Sequence, residues 1–141
     1  MSRRWKQFIR SERGDGIISV FFLMLITLTI ALITVSIVQY VMIRSNLRTA
    51  AGEVLQIMKV ENGADHATRT RLDGLLQSMG MNPAMVSFSA TPKPVQRGDL
   101  LEVTVVREYN VFALKAVGVY YTIPITVHVS GLAHKFFRTG D

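Results

Sequence analysis

Cysteine does not occur in the 141 residues of the chain. A chain without thiols has no disulfide framework, no thiolate metal site, no cysteine nucleophile and no cysteine to carry a lipoprotein acyl group. The length leaves room for one small domain and one accessory element, which excludes a large multidomain enzyme.

Charge is missing from the stretch between Ile17 and Ile43, which contains no Asp, Glu, Lys or Arg. As a helix, its roughly 27 residues reach about 40 Å, which exceeds the hydrocarbon thickness of about 30 Å. A cleaved secretory signal has an apolar core of only about 7–15 residues. The sequence therefore predicts an uncleaved transmembrane helix over residues 17–43.

Basic residues are concentrated in the leader, residues 1–16, whereas the other side of the span has Arg44 and Arg48 close by. The leader residues that predict topology are Arg3, Arg4, Lys6, Arg10 and Arg13. Their excess places the N-terminus in the cytoplasm and residues 44–141 outside. The leader also supplies half of the formal net charge of +6, so topology and anionic lipid explain that charge, and nucleic acid is not an expected partner.

Proline is absent from the span and from the residues after it up to Val60. An apolar stripe at helical spacing follows the span, formed by Leu47, Ala50, Ala51, Val54, Leu55 and Met58. This pattern predicts that the helix continues as an amphipathic stalk over residues 44–60 and ends at Glu61-Asn62-Gly63. The stripe packs either against its own domain or against neighbouring copies, and both interpretations stay open.

A second helix is predicted over residues 65–79. Asp65 is a suitable N-cap, Gly80 is a C-terminal stop, and apolar residues recur at helical spacing between them. The charged residues Arg69, Arg71 and Asp73 are interpreted as a solvent-exposed face.

Beyond this helix the apolar period changes to two, which predicts strands within residues 84–130. The clearest alternation consists of Val117, Val119, Tyr121, Ile123, Ile125, Val127 and Val129. Pro124 interrupts the opposite face, so this strand is predicted to be an edge strand or bulged. The 111–117 connection is compatible with a helical turn or an extended crossover, and Gln96–Asp99 predicts a turn. The expected fold is an α+β head whose three or four antiparallel strands cover the two helices.

Catalytic and metal-binding patterns are not found. The histidines His66, His128 and His134 lie far apart, without the convergent donors that a metal site needs. On one strand, Glu102 and Glu108 would lie about 20 Å apart, too far for paired acid–base chemistry. We therefore expect neither an enzyme nor a bound cofactor or metal.

Several short motifs resemble the TadE-like pilin group. They are the glycine-containing Arg13–Ile18 before the apolar helix, Gly98–Val105, Ile123–Val127 and the final Ser130-Gly131. The chain looks closest to single-span relatives from Gram-positive bacteria. The resemblance implies a subunit or pseudopilin of a tight-adherence or type IV-like pilus or secretion apparatus in the bacterial cytoplasmic membrane. It also implies an assembly ATPase and a membrane platform protein as partners.

The resemblance further implies a prepilin peptidase that cuts after a leader glycine, here Gly14 or Gly16. A glutamate at the fifth mature position normally pairs with the new amine of a neighbouring subunit, but these cuts place Ser19 or Phe21 there. A buried ammonium without a counter-charge in lipid is costly. This departure argues against a major shaft subunit and leaves cleavage open.

The mechanism expected from the sequence is packing of the span against other pilin-like helices, together with lateral contacts of the head. Small polar residues that would line such a contact are Thr27, Thr34 and Ser36, which are equally compatible with a location in lipid without a partner. An alternative is a stand-alone membrane-anchored binding module in which the helix is only a tether. A small tethered enzyme is a third, weaker possibility.

Overall fold

The computed structural model describes residues 15–134 of the chain. Its elements, in order, are helix α1 (Asp15–Glu61), helix α2 (His66–Ser78), a 3₁₀ turn (Pro83–Met85), strand β1 (Val86–Ala90), strand β2 (Leu100–Asn110), helix α3 (Phe112–Ala116) and strand β3 (Thr122–Leu132). The α+β class with a long N-terminal apolar helix is confirmed.

Helix α1 is continuous for 47 residues, as the absence of proline predicts. It ends where Asn62 and Gly63 adopt φ values of 57° and 122°, because a left-handed backbone cannot continue the helix. The Gly63 amide donates back to the Met58 carbonyl at 3.1 Å. The predicted end of the stalk at Glu61-Asn62-Gly63 is therefore confirmed.

The sheet has three antiparallel strands in the order β1-β2-β3. Strand β2 is central, and β3 pairs with it along its whole length, from Leu100 opposite Leu132 to Asn110 opposite Thr122. Pro124 lies opposite Glu108 in β3, which is an edge strand. The absence of an amide proton at Pro124 is tolerated there because the outer side of β3 has no partner strand among the described residues.

The third strand begins later than the alternation predicted. Val117, Val119 and Tyr121 precede β3 and are exposed. The ladder partner β2 ends at Asn110, so alternating residues before Thr122 have no strand to pair with. They follow the short helix α3. Of the two conformations that the sequence allowed for residues 111–117, the structure therefore has the helical turn.

The apolar stripe of the stalk packs against its own head. Leu47, Ala51, Val54 and Met58 are fully buried, and Leu55 is nearly so. They meet inward residues of the sheet in one core that contains Leu101, Val103, Val105, Ile125 and Val127. The stripe is therefore a core face, and the interpretation that it packs against neighbouring copies is wrong because none of its side chains is free to do so.

Helix α2 lies beside α1 and begins with a reciprocal capping box. The Thr68 amide donates to Asp65 Oδ1 at 3.0 Å, and the Asp65 amide donates to Thr68 Oγ1 at 3.0 Å. These bonds satisfy amides that the first turn of a helix leaves without partners. Leu72 and Leu76 are fully buried, so α2 contributes its apolar side to the common core.

The prediction that Arg69 belongs to a solvent-exposed face is wrong, because its side chain is hydrogen-bonded within the head. Its guanidinium donates to the carbonyls of Pro83 and Val86 at 3.0 and 3.1 Å and lies 5.9 Å from the centre of the Phe88 ring. Asp73 pairs with Arg69 Nε at 2.8 Å. Arg69 thus attaches α2 to the start of β1, whereas Arg71 is exposed as predicted.

The turn between the helices is held by the segment that follows β1. The Ala64 amide donates to the Thr91 carbonyl at 2.8 Å, and the Lys93 amide donates to the Ala64 carbonyl at 3.1 Å. The Lys93 ammonium lies 2.7 Å from Asp65 Oδ2 and 3.4 Å from Glu61 Oε2. This close approach explains the glycine at position 63, since a Cβ there would lie 2.8 Å from the backbone nitrogen of Lys93.

We predict that Gly63→Ala destabilises the head by about 2 kcal/mol or more, because it combines a strained positive φ with a backbone clash. Thermal unfolding of the full chain in detergent micelles measures this loss. The matched control is Gly74→Ala in α2, where a Cβ meets nothing within 4 Å. It should leave stability unchanged or raise it by up to about 1 kcal/mol. Equal stability of the two variants would contradict the clash.

A second prediction concerns acid. The ammonium of Lys93 and the amide of Thr68 hold the pKa of Asp65 at about 2, below the usual value of about 3.9 for an unfolded chain. Because the folded pKa is the lower one, Asp65 stabilises the fold above about pH 4, and this contribution is lost as the pH falls towards 2. The stability advantage of the wild type over Asp65→Asn should therefore shrink between pH 5 and pH 2.

The cause of the low Asp65 pKa is tested separately with Lys93→Met, which removes the side chain that lowers this pKa most. Nuclear magnetic resonance of the Asp65 carboxyl in micelles should show a higher pKa in this variant than in the wild type. An unchanged titration would exclude Lys93 as the cause.

Candidate functional site at the helix–head junction

The N-terminal section of α1 is exposed on all sides. Between Ile17 and Val35 every side chain except Leu32 is exposed, including large ones such as Phe22 and Ile30. Among the described residues, α1 is the one helix long and apolar enough to cross a membrane. We call residues 16–35 the apolar segment.

Hydroxyl groups in the apolar segment have partners within the helix. Thr27, Thr29 and Thr34 donate to the carbonyls four residues earlier at 2.8–2.9 Å. Such bonds remove the cost of an unsatisfied hydroxyl in lipid. Thr27 and Thr34 are exposed, so their predicted contact with another helix stays a prediction.

Ser36 marks the point at which α1 meets the head. It is only 7% exposed. Its hydroxyl donates to the Leu32 carbonyl at 2.9 Å and accepts from the Ala113 amide at 2.8 Å. Because this amide belongs to the first turn of α3, the serine supplies a partner that a short helix lacks at its start.

Tyr109 completes the junction from strand β2. Its hydroxyl lies 3.2 Å from the Ser36 carbonyl oxygen and 3.1 Å from Gln39 Oε1, so its single proton has two acceptors in reach. The ring meets that of Tyr40 edge-on, with centroids 6.2 Å apart, a geometry that aromatic pairs favour. We define the junction as Ser36, Gln39, Tyr40, Tyr109 and Ala113.

The junction changes the interpretation of Ser36. The sequence grouped it with Thr27 and Thr34 as a residue for packing against other helices, but its buried hydroxyl binds its own head. It is therefore not available to a neighbouring subunit. Its partners in the head were missed because sequence spacing does not show that residues some 73 positions apart meet. Tyr109 did carry a signal, since it shares the buried face of β2 with Val103 and Val105.

The leader-related positions fall on both sides of the described boundary. Gly16, Ser19 and Phe21 are exposed on α1. Gly14 and the five topology residues Arg3, Arg4, Lys6, Arg10 and Arg13 lie outside the described residues. The structure therefore leaves leader processing and topology as predictions.

Elsewhere in the described part of the chain, polar groups do not converge on a reactive centre. His128 Nε2 lies 3.7 Å from Glu102 Oε1, and both side chains are about half exposed. Within residues 15–134, no group of three or more His, Cys, Asp or Glu side chains could hold a metal ion. A shallow hollow of about 320 Å³ lies against the stalk and is lined by Gln56, Ile57, Val60, Glu61 and Arg71.

Comparison with known families places most of the chain in an uncharacterised family. Residues 22–138 match the family described as Domain of unknown function (DUF4320). The chain belongs to this family. The DUF4320 match begins inside the apolar segment and includes the junction and the whole described head, so helix and head form one family unit. No curated protein and no solved structure matches the chain.

We predict that Ser36→Ala weakens the attachment of the head to the helix. The substitution leaves the half-buried Ala113 amide without its partner, a loss of about 1 kcal/mol, at the low end of the range for an unpaired donor. Hydrogen exchange in micelles should be faster at the Ala113 amide, and thermal unfolding should occur at a lower temperature.

Thr34→Ala is the matched control for this experiment. Thr34 makes the same bond to the carbonyl four residues earlier, at 2.9 Å, but its hydroxyl is exposed and bonds within the helix. This variant should keep both the exchange rate and the unfolding temperature of the wild type. Equal effects of the two substitutions would show that the helix bond, and not the junction, is responsible.

Proposed function

We propose that this DUF4320 protein is a pilin-like or pseudopilin structural subunit of a tight-adherence or type IV-like pilus or secretion apparatus. It acts by packing of its apolar segment against related helices and by contacts of its head outside the membrane. It performs no catalysis. The observation that carries this proposal is the unbroken passage of one helix from a fully exposed apolar segment into the core of a small head.

The junction supports assembly better than tethering. An anchor that only keeps a domain at a surface does not require a fixed attachment, whereas here hydrogen bonds and an aromatic pair fix the head on the helix. A rigid body transmits the position of its helix directly to its head. That property suits a subunit whose helices pack side by side while their heads make lateral contacts.

The proposed location is the bacterial cytoplasmic membrane, with the N-terminus in the cytoplasm. The roughly 20 residues of the apolar segment reach about 30 Å, the thickness of the hydrocarbon core. The excess of basic residues in the leader supports the cytoplasmic placement of that end. The head then lies outside the cytoplasm, where other pilin-like subunits are the proposed partners.

Recruitment of this subunit into an assembly would differ from that of a pilin with glutamate at the fifth mature position. Ser19 or Phe21 stands at the fifth position after a cut behind Gly14 or Gly16. Neither provides a carboxylate to a neighbouring amine, so packing of apolar surface has to supply the contact. This supports a minor or scaffold subunit served by a platform protein and an assembly ATPase, with a prepilin peptidase as a further partner.

The alternative, a stand-alone membrane-anchored binding module, is favoured by the hollow beside the stalk. Its lining combines the apolar side chains of Ile57 and Val60 with the charged side chains of Glu61 and Arg71, a mixture that suits a small contact with a peptide. The two functions differ in what they require of the apolar segment, because a tether needs only its hydrophobicity and a pilin needs its surface.

The proposal is tested by replacing residues 17–35 with an unrelated apolar sequence of equal length. The exchange keeps Ser36 and everything after it, so the head and its junction stay intact. In cells of the source bacterium, a photo-crosslinker at Phe22 should join the wild-type helix to other proteins of the membrane. The same probe at the equivalent position of the replaced segment should not.

Two controls accompany this exchange. A photo-crosslinker at Met85, which is exposed on the head, reports whether the head still meets its partners, and protease resistance reports whether it is folded. A replaced segment that still gives the protein adducts of the wild type would contradict assembly through the helix surface and favour the tether.

A further inference from the structure

The connection between β2 and β3 is unusually apolar on its outside. We call residues 112–121 the apolar loop. Its residues Val117, Tyr120 and Tyr121 are 67, 77 and 58% exposed. Phe112, Leu114 and Val119 are exposed as well, and Lys115 is the single charged residue. A contiguous exposed apolar patch on a small domain indicates a contact surface.

The apolar loop lies at the end of the head that is nearest the apolar segment. The sheet runs along α1: at one end the His134 amide donates to the Lys59 carbonyl at 3.1 Å, and at the other end the Ala113 amide reaches Ser36. The loop therefore projects from the head at the level of α1 where the exposed apolar segment ends.

The opposite side of α1 stays apolar at this same level. Ile37, Val38, Val41 and Met42 are all exposed, and Arg44 is the first charged residue after the span. The apolar segment, residues 16–35, reaches about 30 Å and so spans the hydrocarbon core. The helix residues that follow it, from Ser36 onwards, therefore enter the outer interfacial region.

We propose that the apolar loop inserts into this interface as a second membrane contact of the head. The inference rests on the proposed crossing of the membrane by α1. Its occupant is the lipid of the same bilayer, because the loop lies beside the end of the apolar segment, where the Ala113 amide contacts Ser36. Tyr120 and Tyr121 occupy the depth at which tyrosine is enriched in membrane proteins, and Lys115 is long enough to reach lipid phosphates.

Several backbone amides of the apolar loop are hydrogen-bonded within the protein. The amides of Lys115, Val117, Gly118 and Val119 donate to carbonyls of residues 111–115 at 2.9–3.2 Å. The Ala113 amide donates to Ser36 Oγ. An irregular loop is tolerated near hydrocarbon only when its polar groups are satisfied by protein. The Tyr121 carbonyl is likewise bonded, to the Val111 amide at 3.0 Å.

The absence of native cysteine allows a direct test with single spin labels. The full chain is reconstituted in vesicles of phosphatidylcholine and phosphatidylglycerol after Tyr120→Cys or Val117→Cys and nitroxide labelling. Paramagnetic resonance compares relaxation by oxygen, which concentrates in lipid, with relaxation by a water-soluble nickel chelate. We expect both loop labels to be several-fold more accessible to oxygen relative to nickel than a label at Leu132→Cys. Leu132 is also exposed but lies at the far end of β3.

A label at Phe22→Cys separates the two proposals. If Phe22 faces lipid and the loop labels match the Leu132 label, membrane insertion of the loop is wrong while the span is retained. If Phe22 itself faces water, the membrane crossing fails. Loop labels that are shielded from both reagents, and whose spectra sharpen when unlabelled protein is added, would show a contact between copies and overturn the lipid assignment.

Discussion

A single helix in this protein joins an exposed apolar segment to a stripe that is buried under the head, and the rest of the structure depends on that change of surroundings. Before Ser36 the helix is apolar all round, which is stable only where water is absent. Along the stalk, a single stripe is buried under the head, and most of the remaining surface is polar. The change occurs within about two turns, near Ser36, where the head begins to cover one side.

The shape of the head follows from the stretch of helix that it covers. From Ser36 to Lys59 the helix is about 35 Å long, and β2 and β3, with 11 residues each, extend about 36 Å as strands. Two long paired strands therefore cover the stalk from end to end. Strand β1 has only 5 residues and pairs with the middle of β2, from Val103 to Arg107.

Local periodicity predicted the helices and most strands because each is dictated by residues close in sequence. The stripe from Leu47 to Met58 and the cap at Asp65 are such signals. The strand that alternating apolar residues predicted from Val117 begins only at Thr122, since an extended segment forms a strand only where a partner strand lies beside it. Arg69 and Ser36 were misjudged for a related reason: their partners are 14 to 77 residues away, and a polar side chain on a helix does not reveal a distant carbonyl or amide.

The polar junction also solves a problem that the apolar stripe leaves. A stripe repeating every three or four residues fits its groove nearly as well after a slip of one turn, so burial alone specifies the register weakly. Hydrogen bonds are directional and costly to leave unmade in a buried site. A slip of one turn would separate Ser36 from Ala113 and Tyr109 by about 5 Å. The junction therefore fixes how far along the helix the head sits, and with it the depth that we propose for the apolar loop.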